Sequence, residues 1–377
     1  MGDHWDKSLS EIAFQASKVL LKEETSPPDA IIIANALSEL SSSQGNLAAI
    51  VADALDLKGV PAYRVEAAGG SGGSAINLGV NLIKGGEMES VLVMGVEKMR
   101  DLDPAKVMQA QGLSENADYS QFFGISIAAM NALLARMYMH EYDVTREKLS
   151  AFPVVAHKNS STAEHAQFRK KFTNEEVSRS EAVADPLRVL DCAPVGDGAA
   201  CALLVSEDKL SSEQRKSAVE VLATESSSNL VNFFERPKML HFGATEVAAQ
   251  KALKKAHLSM EEIDFLELHD SYSELTAISL ESMGLSKQGE ACNDAAAGRF
   301  DLNGQFPIST FGGMKGRGYP VGAAGVYQIC EAFMQLTERS GFNQVPNARF
   351  GLVQSMSGID SSAYVHVLGF AGRTGRN

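Results

Sequence analysis

The sequence predicts a layered α/β fold built from two similar halves. Three observations predict it. Short, fully apolar segments alternate with segments of helical period, the alternation breaks and then resumes past the middle, and each half contains a glycine-dense turn leading into a small-residue helix. A chain of 377 residues is long enough for two domains or two fused copies of one. Its 45% hydrophobic and 21% charged residues are ordinary for a soluble globular enzyme. A formal net charge of −13 argues against nucleic acid or an anionic membrane as the main partner.

In chain order, Leu9, Ile12, Ala13, Ala16 and Leu20 mark an amphipathic helix over residues 8–21. Residues 30–34 form a short buried strand after Pro27 and Pro28, and residues 44–55 a second helix. Residues 63–67 lead as a strand into the turn Gly69-Gly70-Ser71-Gly72-Gly73. Ala75, Ile76, Gly79, Val80 and Ile83 then continue at helical spacing. Residues 91–96 are a further buried strand. Between residues 101 and 184 the pattern loosens, with helices over 124–141 and 146–160 but no strands between them, which reads as an inserted lid. The α/β pattern resumes at 186–200 and closes in a strand over 201–205, and the charged, serine-rich stretch 207–217 links to the second half. That half repeats the plan. Residues 262–268 are an acidic turn into a buried strand, 309–325 a glycine-rich turn into a small-residue helix, and 350–357 with 363–369 a closing strand pair. The halves are 1–215 and 216–377.

No apolar run reaches bilayer length, and the first residues form neither a signal peptide nor a myristoylation site. Cys192, Cys201, Cys292 and Cys330 have no C-x-x-C spacing, so they read as core cysteines in a cytoplasmic protein, with no structural zinc in the chain.

Three motifs carry chemistry. The Gly69–Ser71 turn brings helix-start N–H groups close to any ligand and favours negative charge there. Glu267-Leu268-His269-Asp270-Ser271-Tyr272-Ser273-Glu274 puts a histidine at the carboxyl end of a strand, with Ser271 and Glu274 spaced as a capping box. Phe311-Gly312-Gly313-Met314-Lys315-Gly316-Arg317-Gly318-Tyr319-Pro320-Val321-Gly322-Ala323-Ala324-Gly325 is the longest and most specific of them.

These motifs, with the duplicated halves, resemble the thiolases, especially the archaeal and sterol-carrier-type branch, over nearly the whole chain. The resemblance implies a duplicated thiolase fold in layers α-β-α-β-α. Such chains normally open with a strand before the first helix, whereas this sequence begins at or just before that helix. The resemblance also implies site roles. Gly69 stands where the nucleophilic cysteine belongs, and Tyr319 stands where a histidine activates that cysteine. His269 matches an oxyanion-hole histidine, and Tyr272 replaces the usual phenylalanine of its motif. The loop Gln354-Ser355-Met356-Ser357-Gly358 lacks the acid/base Cys-x-Gly found in many thiolases.

Without a thiol and its imidazole base, thiolytic acyl transfer cannot be written. His269 and backbone N–H groups can still stabilise a thioester enolate. Tyrosines at both positions are similar to the thiolase-like steroid side-chain aldolases, which points to retro-aldol cleavage of a β-hydroxyacyl-CoA. Tyr319, Tyr272 and His269 are the expected catalytic residues, with Tyr319 slightly favoured as base. Gly69, Gly70, Ser71, Gly358 and Met314 are expected to shape the pocket, and Gly69 to leave room for a bulky β-carbon. Lys315, Arg317 and Gly313 are expected to hold coenzyme A, which enters as part of the substrate rather than as a resident cofactor. Lys315 and Arg317 would also lower a phenol's pKa. A Schiff-base role for Lys315 is set aside because archaeal-type thiolases also carry lysine there. The thiolase resemblance implies a homodimer with the 63–67 strand near its two-fold, and the aldolase resemblance implies association with a small OB-fold and zinc-ribbon protein. The rival readings are an acyl-CoA C-acyltransferase and a catalytically silent scaffold subunit.

Overall fold

The computed structural model describes residues 1–23 and 26–370. Helix α1 (Leu9–Glu23) precedes strand β1 (Ala30–Ala34), in which every residue is buried. Then come α2 (Leu47–Ala54), β2 (Ala62–Val65), α3 (Ser71–Lys84) and β3 (Ser90–Glu97). Strands β1 and β3 are buried along their whole length and apolar but for the ends of β3, Ser90 and Glu97, because both sheet faces are covered. The intervening segment holds α4 (Pro104–Gln111), capped by Asp103, then α5 (Ile127–Glu141), capped by Ser126, and α6 (Ala151–Ser160). The helix expected over 146–160 breaks into Arg146–Leu149 and α6, where Pro153 cannot donate to the carbonyl of Leu149. Strand β4 (Gly198–Val205) closes the first sheet, in the order β2-β1-β3-β4 with only the β3–β4 pair antiparallel.

A three-residue turn and a six-residue helix, Ser212–Ser217, lead to β5 (Val219–Ser228), a long strand that the sequence pattern missed. Next are α7 (Gly243–Ala256), β6 (Phe265–Glu267), α8 (Ser273–Ser282), α9 (Ala324–Leu336), β7 (Phe350–Ser357) and β8 (Ser362–Phe370). The second sheet runs β5-β8-β7-β6. The two sheets repeat one plan. β6 and β7 are parallel as β1 and β3 are, and β8 is antiparallel to β7 as β4 is to β3. Ile308 bridges Leu266 in parallel, where β2 pairs with β1 in the first half. β5 takes the place beside β8, and among the described residues no strand takes the matching place beside β4.

Helices α1 and α2 cover the outer face of the first sheet, and α7 covers that of the second. Between the sheets lie α3 and α9, which touch at backbone distance. A Cβ on Gly72 would stand 2.6 Å from the Val326 nitrogen, and one on Gly325 would stand 2.5 Å from the Gly73 nitrogen. The result is the five-layer α-β-α-β-α stack. Residues 101–184 are not a detached lid. Met130, Leu134, Tyr138 and Phe152 join the core of the second half, and only the stretch from α4 to the start of α5 walls the cavity described next. No helix among the described residues is long and apolar enough to cross a membrane.

Candidate functional site

A cavity of about 370 Å³ opens where the two glycine-rich turns meet. Gly69, His269, Tyr272, Tyr319 and Gly358 all line it, brought together from four separate segments. Leu37, Arg64, Leu113, Ser114 and Asn131 also line it, and the sequence reading had not marked them.

The turn after β2 is held rigidly. Ala68 adopts φ +46°, an uncommon conformation for a residue with a side chain. The Ser71 hydroxyl accepts from the Ala67 N–H at 2.9 Å and donates to the Ala68 carbonyl at 2.7 Å. The Ser357 hydroxyl donates to the Ala67 carbonyl at 2.5 Å, tying the turn to the end of β7. Gly69 therefore presents its bare Cα to the cavity. The space beside that Cα is not vacant. A Cβ there would stand 2.5 Å from the Tyr319 hydroxyl, 2.6 Å from His269 Cε1 and 2.9 Å from the Met356 carbonyl oxygen. The room expected for a bulky β-carbon is thus filled by the phenol.

His269 follows β6, and its backbone N–H donates to Gln354 Oε1 at 2.8 Å. Its ring stands perpendicular to that of Tyr319, with centroids 5.6 Å apart. Burial, with Lys315 and Arg317 behind it, pushes its pKa down to about 4 against the opposing pull of Asp270. The imidazole is therefore neutral at physiological pH and can donate without carrying charge. Tyr319 is fixed by its N–H to the Pro194 carbonyl at 3.2 Å, and Tyr272 pairs with Cys192 as an isolated bridge. Burial raises the pKa of both phenols. Glu97 adds to the rise at Tyr319, and Cys192, Glu274 and Tyr319 add to it at Tyr272. The lowered phenol expected from the sequence is absent, because no cation offsets the cost of a charged phenolate here.

The expected coenzyme A residues sit elsewhere. Lys315 is 1% exposed. It donates to the Asp270 carbonyl at 2.5 Å and to Thr276 Oγ1 at 3.1 Å, and lies 3.5 Å from the Asp270 carboxylate. Arg317 is fully buried in an ion pair with Glu331 at 3.0 Å, and its guanidinium lies over the Tyr327 ring. Gly313, at φ +53°, packs its Cα against the Asp270 carboxylate, which also accepts from the Met314 N–H at 2.7 Å. These residues, Met314 included, form the scaffold behind His269. Gly70 and Ser71 likewise build the turn without lining the cavity. The capping box also fails to form. Helix α8 starts with no side-chain cap, and Glu274 is fully buried with both carboxyl oxygens unpartnered.

Among the described residues Arg64 is the only cation lining the cavity. It pairs with Glu39 and donates to the Asn35 carbonyl at 3.3 Å. Glu97 is fully buried behind the lining residues Ala36 and Leu37. Its carboxyl accepts from Asn35 Nδ2, from the backbone N–H groups of Ala36 and Leu37, and from Gly322 at 3.1 Å.

The family model for the thiolase N-terminal domain matches residues 1–208, and that for the thiolase C-terminal domain-like family matches residues 225–370. The chain is 33% identical over 370 residues to an acetyl-CoA acetyltransferase of Methanothermobacter thermautotrophicus, spanning 97% of this chain and 96% of that one. It is 32% identical to sterol carrier protein 2 of Gallus gallus, over 84% of this chain and 60% of the relative. Among solved structures, the Ltp2-ChsH2(DUF35) aldolase superposes with TM-score 0.82 at 23% identity, covering 99% of this chain and 95% of that one. Human mitochondrial 3-ketoacyl-CoA thiolase superposes with TM-score 0.73 at 17% identity, covering 98% and 94%.

Proposed function

The chain belongs to the thiolase superfamily of acyl-CoA enzymes, and from that premise we propose that it cleaves a β-hydroxyacyl-CoA by a retro-aldol reaction, releasing a ketone or aldehyde and a shorter acyl-CoA. One observation carries this reading. The Tyr319 hydroxyl lies where a side chain at position 69 would begin, so the site has a phenol beside a neutral histidine and no thiol to acylate.

In this reading the acyl-CoA thioester carbonyl faces His269, whose N–H donates to the oxygen as it becomes an enolate. A fixed donor in a water-poor site is worth about two to three orders of magnitude in rate. The β-hydroxyl faces Tyr319 and Tyr272. Both begin protonated, so they act as hydrogen-bond donors to the oxygen that becomes the ketone or aldehyde. Support for coenzyme A as the carrier comes from the family, since the basic side chains expected to hold its phosphates are internal. The same reading gives the chain a homodimeric state, from the thiolase resemblance, and a small OB-fold and zinc-ribbon partner, for which the DUF35-containing aldolase complex that shares its fold is the support.

The relatives' names favour a second reading, acyl transfer of the acetyl-CoA acetyltransferase type. The test is to incubate the purified protein, with and without a co-expressed small partner, with panels of β-hydroxyacyl- and β-ketoacyl-CoA esters and to follow products by mass spectrometry. Cleavage of a β-hydroxyacyl ester without added coenzyme A supports the aldolase. Coenzyme A-dependent cleavage of a β-ketoacyl ester supports acyl transfer. Binding of esters without turnover points to a scaffold subunit.

A further inference from the structure

Asn131 lines the cavity from α5 and is 1% exposed. Its Nδ2 donates to the Ile127 carbonyl, one turn earlier, at 2.8 Å, and Ile127 lines the cavity as well. The amide therefore lies along the face of α5 that looks into the cavity. The same bond fixes which way the amide points, because a carbonyl accepts from Nδ2 and repels Oδ1. Oδ1 is left with no hydrogen-bond partner in the protein. Helix α5 packs against α8, so the Asn131 wall adjoins the one that carries Tyr272 and Leu275.

The other polar side chains of the cavity are engaged or adaptable. Glu39 pairs with Arg64, Glu66 accepts from the Ala68 N–H at 2.6 Å, and the Ser114 hydroxyl donates to the Gln111 carbonyl at 2.9 Å. The hydroxyls of Ser271, Tyr272 and Tyr319 can turn to donate or to accept, so they fit an alcohol and a ketone alike. Asn131 Oδ1 can only accept. A buried acceptor held in place without a donor is costly, and the cost is recovered when a ligand brings a hydrogen to it. Along the reacting part of a β-hydroxyacyl thioester, the β-hydroxyl is the group with such a hydrogen. The carbonyl oxygen, the sulfur and the alkyl carbons have none to give.

Resting on the retro-aldol reading, we propose that Asn131 selects the substrate by the oxidation level of its β-carbon, its Oδ1 accepting a hydrogen bond from the β-hydroxyl. The hydroxyl oxygen then keeps two lone pairs for the donors Tyr272 and Tyr319. A β-ketoacyl thioester, the substrate of coenzyme A-dependent cleavage, has no hydrogen on that oxygen and leaves Oδ1 buried and unpaired. Sites built around a substrate hydrogen reject analogues that lack it far more strongly than apolar pockets discriminate by size. An amide oxygen is too weak a base to carry a proton away, so Asn131 holds and orients the hydroxyl and takes no part in the proton transfer. On cleavage the β-carbon becomes a carbonyl, the bond to Asn131 is lost, and release of the ketone or aldehyde is favoured.

The test measures binding by calorimetry for wild type, Asn131→Ala and Asn131→Leu, with and without a co-expressed small partner. The probes are three coenzyme A thioethers of one chain length, carrying a hydroxyl, a fluorine or a hydrogen on the carbon that stands for the β-carbon, in both configurations where that carbon is chiral. They have no thioester carbonyl, so no enolate forms and none is cleaved. Fluorine is close to a hydroxyl in size and polarity but brings no hydrogen, which separates the donor from bulk. Wild type should hold the hydroxyl probe about ten- to a hundredfold more tightly than the other two. In both variants the three affinities should converge, through loss at the hydroxyl probe alone. If Asn131→Leu does not fold, as judged by thermal melting, the smaller Asn131→Ala decides.

A wild type without the preference, or an Ala variant that retains it, overturns the proposal. Equal weakening of all three probes in the variants also overturns it and puts Oδ1 on a donor of the pantetheine arm, which the probes share. The retro-aldol reading is judged separately, by cleavage of β-hydroxyacyl-CoA. Preference without cleavage keeps the selector and sinks that reading, and cleavage without preference does the reverse.

Discussion

The hydroxyl oxygen of Tyr319 lies 2.5 Å from the point where a Cβ on Gly69 would stand. The two positions therefore share one volume, and whatever occupies one constrains the other. Gly69→Cys is expected to yield no thiolysis of acetoacetyl-CoA, since the buried phenol cannot make a thiolate and the new side chain displaces it. Overpacking of this kind costs about 1–3 kcal/mol. Thermal melting should show Gly69→Ala destabilised and the Gly69→Ala/Tyr319→Phe pair partly recovered, because the nearest contact has gone while those with His269 and the Met356 carbonyl remain. Additive losses in that pair would show that the two positions do not compete.

Tyr319→Phe and Tyr272→Phe should each lower kcat by about two to three orders of magnitude, as the loss of a fixed donor does. KM should change little, because neither hydroxyl is placed to hold the coenzyme A moiety. Near wild-type cleavage by both variants would refute the roles given to the phenols.

His269→Ala should cost about two to three orders of magnitude in kcat through the lost enolate donor. Because its pKa is pushed down to about 4, the imidazole stays neutral across pH 5–8. The sign follows directly, since protonation, and any loss of activity it causes, sets in only as pH falls towards 4. A pH–rate profile should therefore show no limb from His269 between 5 and 8, and a limb near 6.5 that His269→Ala removes would show a histidine in an ordinary environment.

Lys315→Met should act on stability rather than on substrate affinity. Removing the lysine leaves Asp270 buried without its cation, and breaking such a pair costs about 3–5 kcal/mol. Calorimetry should record a large fall in Tm, while the folded protein binds acyl-CoA as wild type does. A stable variant with lost affinity would mean that the lysine turns outward in solution.

Strand β2 is the edge of the first sheet, and Tyr63 on it is 45% exposed. A two-fold contact along this edge would cover it and form the expected homodimer. Sedimentation that finds a stable monomer, with and without a small partner, would exclude that arrangement.

Most of the architecture was legible because burial on both faces leaves a plain mark, as in Ala30–Ala34 and Ser90–Glu97. Strand Val219–Ser228 was not, since its C-terminal end is serine-rich and only one stretch of it is buried. The helix Gly243–Ala256 could have been found from Ala244, Ala248, Ala249, Ala252 and Ala256, which recur at helical spacing. In the site, Gly69, His269, Tyr272, Tyr319 and Gly358 were readable as members of motifs. Lys315 and Arg317 were misread because a charged residue in a glycine-rich turn suggests solvent. Their partners, Asp270 and Glu331, lie in other parts of the sequence.

The backbone contact between Gly72 and Gly325 leaves no compressible layer between the two sheets. The reacting groups are thus set in masonry, and the cavity cannot widen by the halves parting to admit a longer acyl chain. Discrimination between substrates is then expected to reside in a wall outside that stack, the stretch from Pro104–Gln111 to the start of Ile127–Glu141. Such a division makes the wall transplantable. Exchanging it for the same stretch of a relative should move chain-length preference with the graft, and the Tyr319–His269 geometry should stay with the host.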